Sequence, residues 1–379
     1  MGRGPEGRKE AVLVNVLGIS CYYHDAAAAL LCDGELVAAA EEERFSRRKH
    51  DSGFPARAMD FCLRRAGLGA RDVDWVAFYE KPLVRFERIL RSVVATAPRS
   101  SSVFREAMIS WMGEKLWIKA QVVKELGISP EKILFVEHHA SHAASAFFCS
   151  PFRDAAILTV DGVGEWTTAT LGTGVADWDG SGENRLQVMS EMRFPHSLGL
   201  LYSTFTAFLG FEVNEGEYKV MGLAPYGQPR YLDKIHQLAR VAQDGSLELE
   251  LRYFAYPYSA RRPFSQRFLD LFGPPREPDA EFFLPNPPHP SQALADRSSY
   301  YADVAASIQR FTEDALVRMA THLRRQTGMR ALCMAGGVAL NSLANSRILL
   351  EAGFDDVFVQ PAAGDSGGSI GAALYTWHV

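Results

Sequence analysis

A chain of 379 residues, 47% hydrophobic and 22% charged, with a formal net charge of -5, has room for two to three units of about 150 residues each. Its composition is that of a globular protein with a buried core, not of a disordered chain. The mild acidity argues against a nucleic-acid partner, because phosphate contacts need a basic surface. The first ten residues, MGRGPEGRKE, lack the apolar stretch of a signal peptide. Cys21, Cys32, Cys62, Cys149 and Cys333 form no CxxC pair, as expected in a reducing compartment. The charge-free run from Phe194 to Phe211 has the length of a membrane span. It contains Pro195, His196 and four Ser or Thr residues, so it reads as a buried helix. The expectation is a soluble cytoplasmic protein with no membrane partner.

After a leader over residues 1–11, expected to be disordered, the run VLVNVLGI (Val12 to Ile19) is apolar on both faces, as in a central strand. AAAALL, Asp33-Gly34 and ELVAAAEEE then read as a hairpin. Pro55 to Ala66 has helical apolar spacing, and Val73 to Tyr79 is another strand. From Phe86 to Glu125 the chain is helical in propensity, with a break near residues 99–102. A second beginning follows roughly 140 residues after the first: the strand Ala155 to Val160, the turn Asp161-Gly162, and the return strand WTTATLGTG. The repeated pattern predicts a duplicated α/β fold, with halves over residues 12–154 and 155–379 facing one cleft. Prolines cluster at about 255–300, which reads as an insertion or lid and not as core. Beyond it, Val304, Ile308, Phe311, Ala315, Met319 and Leu323 mark an amphipathic helix. ALCMA (331–335), Val357 to Gln360 and Ser369 to Trp377 supply two last strands and a last helix.

The strongest chemical signal is EHHASH at 137–142, where three of ten histidines fall within five residues. If a helix begins there, His138 and His142 share one face, as two imidazoles on one divalent ion would. Asp161, with Gly162 behind it, ends a strand, and so serves a metal, a phosphate or an ordinary turn. Asp365, in GDSGGS before a helix, is a ligand or an N-cap. Together His138, His142, Asp161 and Asp365 would form a nitrogen and oxygen site suited to Fe, Mn or Zn. Gly336-Gly337 ahead of Asn341 allows close approach of a ligand, with Asn341 reading a ribose or base edge. Glu217 and Lys219 either hold ribose and phosphate or pair with each other. His24 at the first strand end is a candidate acid or base. Lys49, in the basic half of the run 41–50, either is solvated or receives an anionic donor.

HDAAAALLCDGELVAAAEEERFSRRKH, EHHASHAASAFF, LTVDGVGEW, FPHSLGLLYS, GEYKVMGLAPYG, AGGVALN and QPAAGDSGGSIGAAL occur in that order. Together they resemble the amino-terminal domain of the NodU/CmcH carbamoyltransferases, which O-carbamoylate antibiotics, nodulation factors and related small molecules. The resemblance spans about residues 12 to 377. It implies a duplicated actin-like fold, similar to the ATPase-fold protein that makes threonylcarbamoyladenosine in tRNA. It also implies that His138, His142, Asp161 and Asp365 are ligands of an iron-type metal, Fe2+ foremost, with Mn2+ or Zn2+ as alternatives. Gly162, Glu217, Lys219, Gly336, Gly337 and Asn341 fall in segments resembling the loops that hold the adenylate. His24 and Lys49 fall on the acceptor and donor side and are assigned catalytic work.

The family reaction makes carbamoyladenylate from carbamoyl phosphate and ATP, and a small-molecule hydroxyl acceptor then attacks its carbonyl. Members usually continue into a YrdC-like domain that makes the adenylate, whereas this chain stops at Val379. On that basis the chain is expected to need such a domain or partner chain for the first half-reaction. A metal-dependent ATPase or kinase of the same fold and a non-catalytic nucleotide-binding subunit are the alternatives. The acceptor pocket is expected to draw on Phe86 to Met112 and the proline-rich segment.

Overall fold

The computed structural model describes residues 13–113, 115–177, 183–259, 261–278, 280–282 and 291–379. The predicted leader and part of the proline-rich segment lie outside the described residues. In chain order the first half comprises β1 (Asn15–Ser20), β2 (Ala27–Cys32), β3 (Glu35–Glu41), α1 (Glu43–Ser46), α2 (Ala56–Arg65), β4 (Trp75–Phe78), α3 (Pro82–Thr96), α4 (Ser101–Gly113), α5 (Ile118–Leu126), β5 (Ile133–Phe135) and α6 (His138–Phe147). The second half begins with β6 (Asp154–Val160), β7 (Thr167–Val175) and β8 (Arg185–Arg193), followed by α7 (Leu198–Phe208), α8 (Glu217–Leu223) and α9 (Leu232–Leu238). A short hairpin of β9 (Ala239–Val241) and β10 (Leu247–Leu249) leads to α10 (Gln266–Phe272) and α11 (Gln292–Thr327). It closes with β11 (Ala331–Ala335), α12 (Ser342–Glu351), β12 (Asp356–Val359) and α13 (Gly368–His378).

Two five-stranded sheets result, in the orders β3-β2-β1-β4-β5 and β8-β7-β6-β11-β12. In each, the first three strands form antiparallel pairs and the last two run parallel to the first. The same topology therefore occurs twice, as the repeated strand-turn-strand pattern predicts. Asp33 (φ 49°) and Gly34 (φ 82°) both take left-handed backbone, which a two-residue hairpin turn requires. Every residue of β1 is buried and the edge strand β3 has none fully buried, which fits the apolar run in one and the charged ends of the other.

The halves exchange their last helices. α13 packs on β1, β2 and β4 of the first sheet, α6 packs on β6, β7 and β11 of the second, and the two helices pack on each other. A Cβ on Gly18 would stand 1.9 Å from the Ser369 carbonyl oxygen, and one on Gly371 would stand 1.7 Å from that of Ser141. Ala143, Ala144 and Phe147 of α6 and Ala372, Ala373 and Leu374 of α13 share one apolar core with Val16, Leu17 and Ile19.

The proline-rich segment differs from its expectation as a non-core insertion. Phe264, Phe268 and Phe272 are buried and pack edge-to-face around Phe208 of α7. Prolines flank this turn of helix, and the four-residue spacing of its phenylalanines outweighs them. α11 also begins within that segment, at Gln292. The charge-free run forms α7, whose Leu198, Leu201, Phe205 and Phe208 are fully buried. No helix among the described residues is long and apolar enough to cross a membrane.

Gly371→Ala is expected to lose about 1–3 kcal/mol of stability through overpacking at the helix crossing. Gly222→Ala in α8, where a Cβ meets nothing within 4 Å, serves as the contrast. Denaturant unfolding of both variants checks this, and equal midpoints would contradict the crossing as a tight contact.

Candidate functional site

The carboxyl ends of the parallel strands point into one cleft between the halves, the usual place for a ligand in such sheets. β5 leads directly into α6, so His138 opens the helix and His142 follows one turn later on the same face. β6 ends at Val160 and presents Asp161, and the turn after β12 presents Asp365. His138 Nε2 lies 3.1 Å from Asp161 Oδ2 and 3.6 Å from Asp365 Oδ1. His142 Nε2 lies 3.7 Å from Asp365 Oδ1 and 3.1 Å from His138 Nε2. All four residues are buried, and one ligand atom from each falls within 4.8 Å of the others.

The third histidine of the cluster faces away. His139 Nε2 is 3.0 Å from the Thr167 carbonyl oxygen, and its Nδ1 is 2.6 Å from Thr159 Oγ1. An N–H donated to the carbonyl leaves Nδ1 to accept from the threonine, so this ring is neutral. Burial and the neighbouring His138 charge push it down to about 3. His139 thereby fixes α6 to β6 and β7 and aims His138 and His142 at the cleft.

Burial opposes charge on His138, but the Asp365 and Asp161 carboxylates prevail and push it up to about 9. Burial and the Asp161 charge push Asp365 up to about 7 against the pull of His138. Burial likewise resists ionisation of Asp161, yet the His138 hydrogen bond and charge hold its carboxyl well below the usual range. Asp365 Oδ2, His138 Nδ1 and His142 Nδ1 are buried without a hydrogen-bond partner. Two carboxylates and two imidazoles packed this closely, with an orphaned carboxylate oxygen, fit a divalent cation with a mixed nitrogen and oxygen shell.

Above this floor lies a cavity of about 360 Å³. Of the residues singled out in the sequence, His24, Lys49, Asp161 and Asp365 line it, and so do Gly162, Glu217, Gly337 and Asn341. Glu217 accepts from Ser203 Oγ at 2.8 Å and from the Asn214 N–H at 3.1 Å, not from Lys219. Three expectations differ from what is found. Lys219 is exposed, stands outside the cavity lining, and sets its ammonium 5.8 Å from the Tyr218 ring centre. Gly336 is buried below the lining, and a Cβ there would stand 2.2 Å from the Val160 carbonyl oxygen, so it serves strand packing. The Asn341 amide is already engaged. It exchanges two 2.9 Å hydrogen bonds with Gln309 and caps α12 at the Ala344 N–H, which leaves little of it to read a base. Among the described residues, none of Phe86 to Met112 or of the proline-rich segment lines this cavity.

Several residues at the site carried no sequence signal. Glu165 accepts from the backbone N–H groups of His138, at 3.1 and 3.2 Å, and of Lys81, at 2.8 Å. One carboxylate thus serves the starts of α6 and α3, where helix N–H groups are unpaired. From α3, buried Arg85 pairs with Glu80 and lies 3.9 Å below the Tyr23 ring centre. Arg88 donates to the Gly164 carbonyl oxygen at 3.0 Å. Nothing in the local sequence of α3 distinguishes these arginines from solvated ones.

The sequence matches the family model described as "Carbamoyltransferase N-terminus" over residues 15–374. It is 49% identical over 374 residues to uncharacterized protein sll1178 of Synechocystis sp., with 97% of this chain and 57% of that protein covered. It is 34% identical over 358 residues to nodulation protein NolNO of Sinorhizobium fredii, with 93% and 46% covered. The chain thus spans less than two thirds of the length of either relative. Among solved structures it is similar to (R)-2-hydroxyglutaryl-CoA dehydratase component A of Acidaminococcus fermentans, at 13% identity and a TM-score of 0.43, covering 96% of this chain and 98% of that one. A match that runs from β1 to α13 and takes in all four residues of the buried cluster places this chain in the carbamoyltransferase amino-terminal family.

Proposed function

We propose that this chain transfers a carbamoyl group from carbamoyladenylate to a hydroxyl of a small-molecule acceptor, over a divalent metal held by His138, His142, Asp161 and Asp365. The observation that carries this reading is the buried nitrogen and oxygen cluster at the floor of a cavity whose wall holds Glu217 and Gly337. In the transfer, the acceptor oxygen bonds to the carbamoyl carbon, the bond from that carbon to the phosphate oxygen breaks, and AMP leaves with the electron pair. The hydroxyl proton goes to solvent. A bound Fe2+, Mn2+ or Zn2+ would supply Lewis-acid stabilisation of the charge that builds on the donor.

The residues of the chain orient the partners. Glu217, with one oxygen fixed by Ser203 and Asn214, has its other oxygen to accept from ribose hydroxyls. Gly337, whose N–H donates to Asp161 Oδ1 at 2.9 Å, lets the donor approach the turn after β11 without a side chain between. His24 and Lys49 stand on the cavity wall contributed by the first half. A Mg2+-dependent kinase reading has less support, because Mg2+ favours an oxygen shell and this floor offers two imidazoles.

Carbamoyladenylate labelled in the carbamoyl group, supplied with a panel of sugars, tests the proposal by label transfer and AMP release. His138→Ala is expected to lower metal affinity by at least about 10-fold and to abolish transfer. Unchanged transfer by metal-free His138→Ala would sink the metal-centred reading. Glu217→Ala is expected to raise the KM for the donor by about 10- to 100-fold, the effect of losing a charged hydrogen-bond acceptor. Its metal content, measured by elemental analysis, stays at the native level, and an unchanged KM would remove Glu217 from the donor site.

A further inference from the structure

A second titratable cluster stands at the cavity wall, apart from the metal floor. His24 Nδ1 lies 2.7 Å from Asp25 Oδ2, and His50 Nδ1 lies 2.9 Å from Asp25 Oδ1. One carboxylate is thus shared by two imidazoles, one oxygen to each, with the rings 4.6 Å apart. All three residues line the cavity and are about four-fifths buried. An ionised carboxylate only accepts, so each ring must present an Nδ1–H to it. The ring protons are thereby placed on Nδ1, and the Asn214 backbone carbonyl oxygen is within reach of the same His24 imidazole when it is charged.

The backbone is built to hold this pair. The loop after β1 and the loop after α1 are joined by Tyr22 N–H to the Ser52 carbonyl oxygen, 2.7 Å, and Ala26 N–H to that of Asp51, 2.9 Å. Both loops pass through left-handed residues with side chains, Tyr22 at φ 70° and His50 at φ 51°, conformations that cost energy and persist where surrounding structure enforces them. The Glu43 carboxylate accepts the His50 N–H at 2.9 Å and keeps that loop in place. Across the cleft, Glu215 Oε2 lies 3.1 Å from Lys49 Nζ and 3.9 Å from His50 Nε2. Burial works against charge on His24, but its bond to Asp25 holds its proton more tightly than usual.

We propose that Asp25 and His50 are positioning residues for His24: the shared carboxylate fixes which nitrogen of His24 carries the proton and how its ring meets the cavity, and His50 holds the second carboxylate oxygen. The proposal rests on the transfer reading above and adds that the acceptor hydroxyl proton passes to solvent by way of His24, which lines the cavity. The logic is that of an orienting carboxylate behind a working imidazole, where the amide variant leaves the shape but loses the proton placement.

Asp25→Asn offers one carbonyl oxygen where two Nδ1–H groups need acceptors. It is expected to lower kcat for label transfer from carbamoyladenylate by about 10²- to 10⁴-fold with the donor KM unchanged. His50→Phe keeps a ring in place, and its loss is expected to be about 10-fold. Metal content stays native in both, which separates them from the floor ligands. Proton NMR in water gives a readout apart from activity. Low-field imidazole N–H resonances, assigned by their loss in His24→Gln and His50→Gln, are present in the native chain, and that of His24 is lost in Asp25→Asn. Native kcat in Asp25→Asn, or survival of the His24 resonance, would overturn the proposal. A second equivalent of Zn2+ bound by the native chain and lost in Asp25→Ala would also overturn it, because Asp25 would then be a ligand. If the native chain transfers no label at all, the transfer reading fails, and the resonances alone decide whether Asp25 fixes His24.

Discussion

The reciprocal crossing of α6 and α13 is the contact on which the rest of the molecule depends. Each sheet completes its core with a helix from the other half, and the backbones meet closely enough at Gly18 and Gly371 that no side chain fits between them. The buried floor of two histidines and two aspartates is a product of that crossing. His138 and His142 ride on α6, Asp365 stands in the turn into α13, and Asp161 ends the strand that α6 covers. Neither half taken alone contains the four donors in contact, so folding of both precedes any site. Close-packed interiors transmit small displacements, so a methyl group added at the crossing is expected to shift α6 and the histidines it carries.

Electrostatics at the floor follow from the same geometry. Two carboxylates buried side by side repel, and the protein relieves this by keeping a proton on His138 and raising the proton affinity of Asp365. A dication would take over that role and displace those protons. His139 contributes by being neutral: a second charged imidazole beside His138 would add repulsion, and its two hydrogen bonds to Thr159 and Thr167 remove that option.

Much of this was legible in the sequence because it rests on period and order along the chain. A spacing of four from His138 to His142 is about one helical turn, and Asp161-Gly162 directly follows an apolar strand. The duplicated topology was likewise readable from two strand-turn-strand beginnings. What sequence could not supply was who else reaches a given group. Asn341 looked free in AGGVALN, but Gln309, thirty-two residues earlier in the chain, consumes its amide. Lys219 follows the cavity residue Glu217 by two positions, and on a helix that spacing turns it to another face. Prolines at 263 and 274 concealed a buried turn of phenylalanines between them. Glu165 and Arg88 work through partners distant in sequence, and Arg85 adds distant Tyr23 to its near neighbour Glu80, so no local pattern marks their place at the site.

The Glu165 carboxylate has a mechanical consequence. It belongs to the second half and grips the first turns of α3 and α6 in the first, while Arg88 returns the grip at Gly164. A rotation of one half over the other would strain all of these at once, so the base of the cleft resists it. At the opposite edge, the link from Lys49 to Glu215 involves an exposed lysine, and exposed pairs of that kind contribute little. The two halves are therefore held firmly at the base of the cavity and only weakly across its Lys49–Glu215 edge.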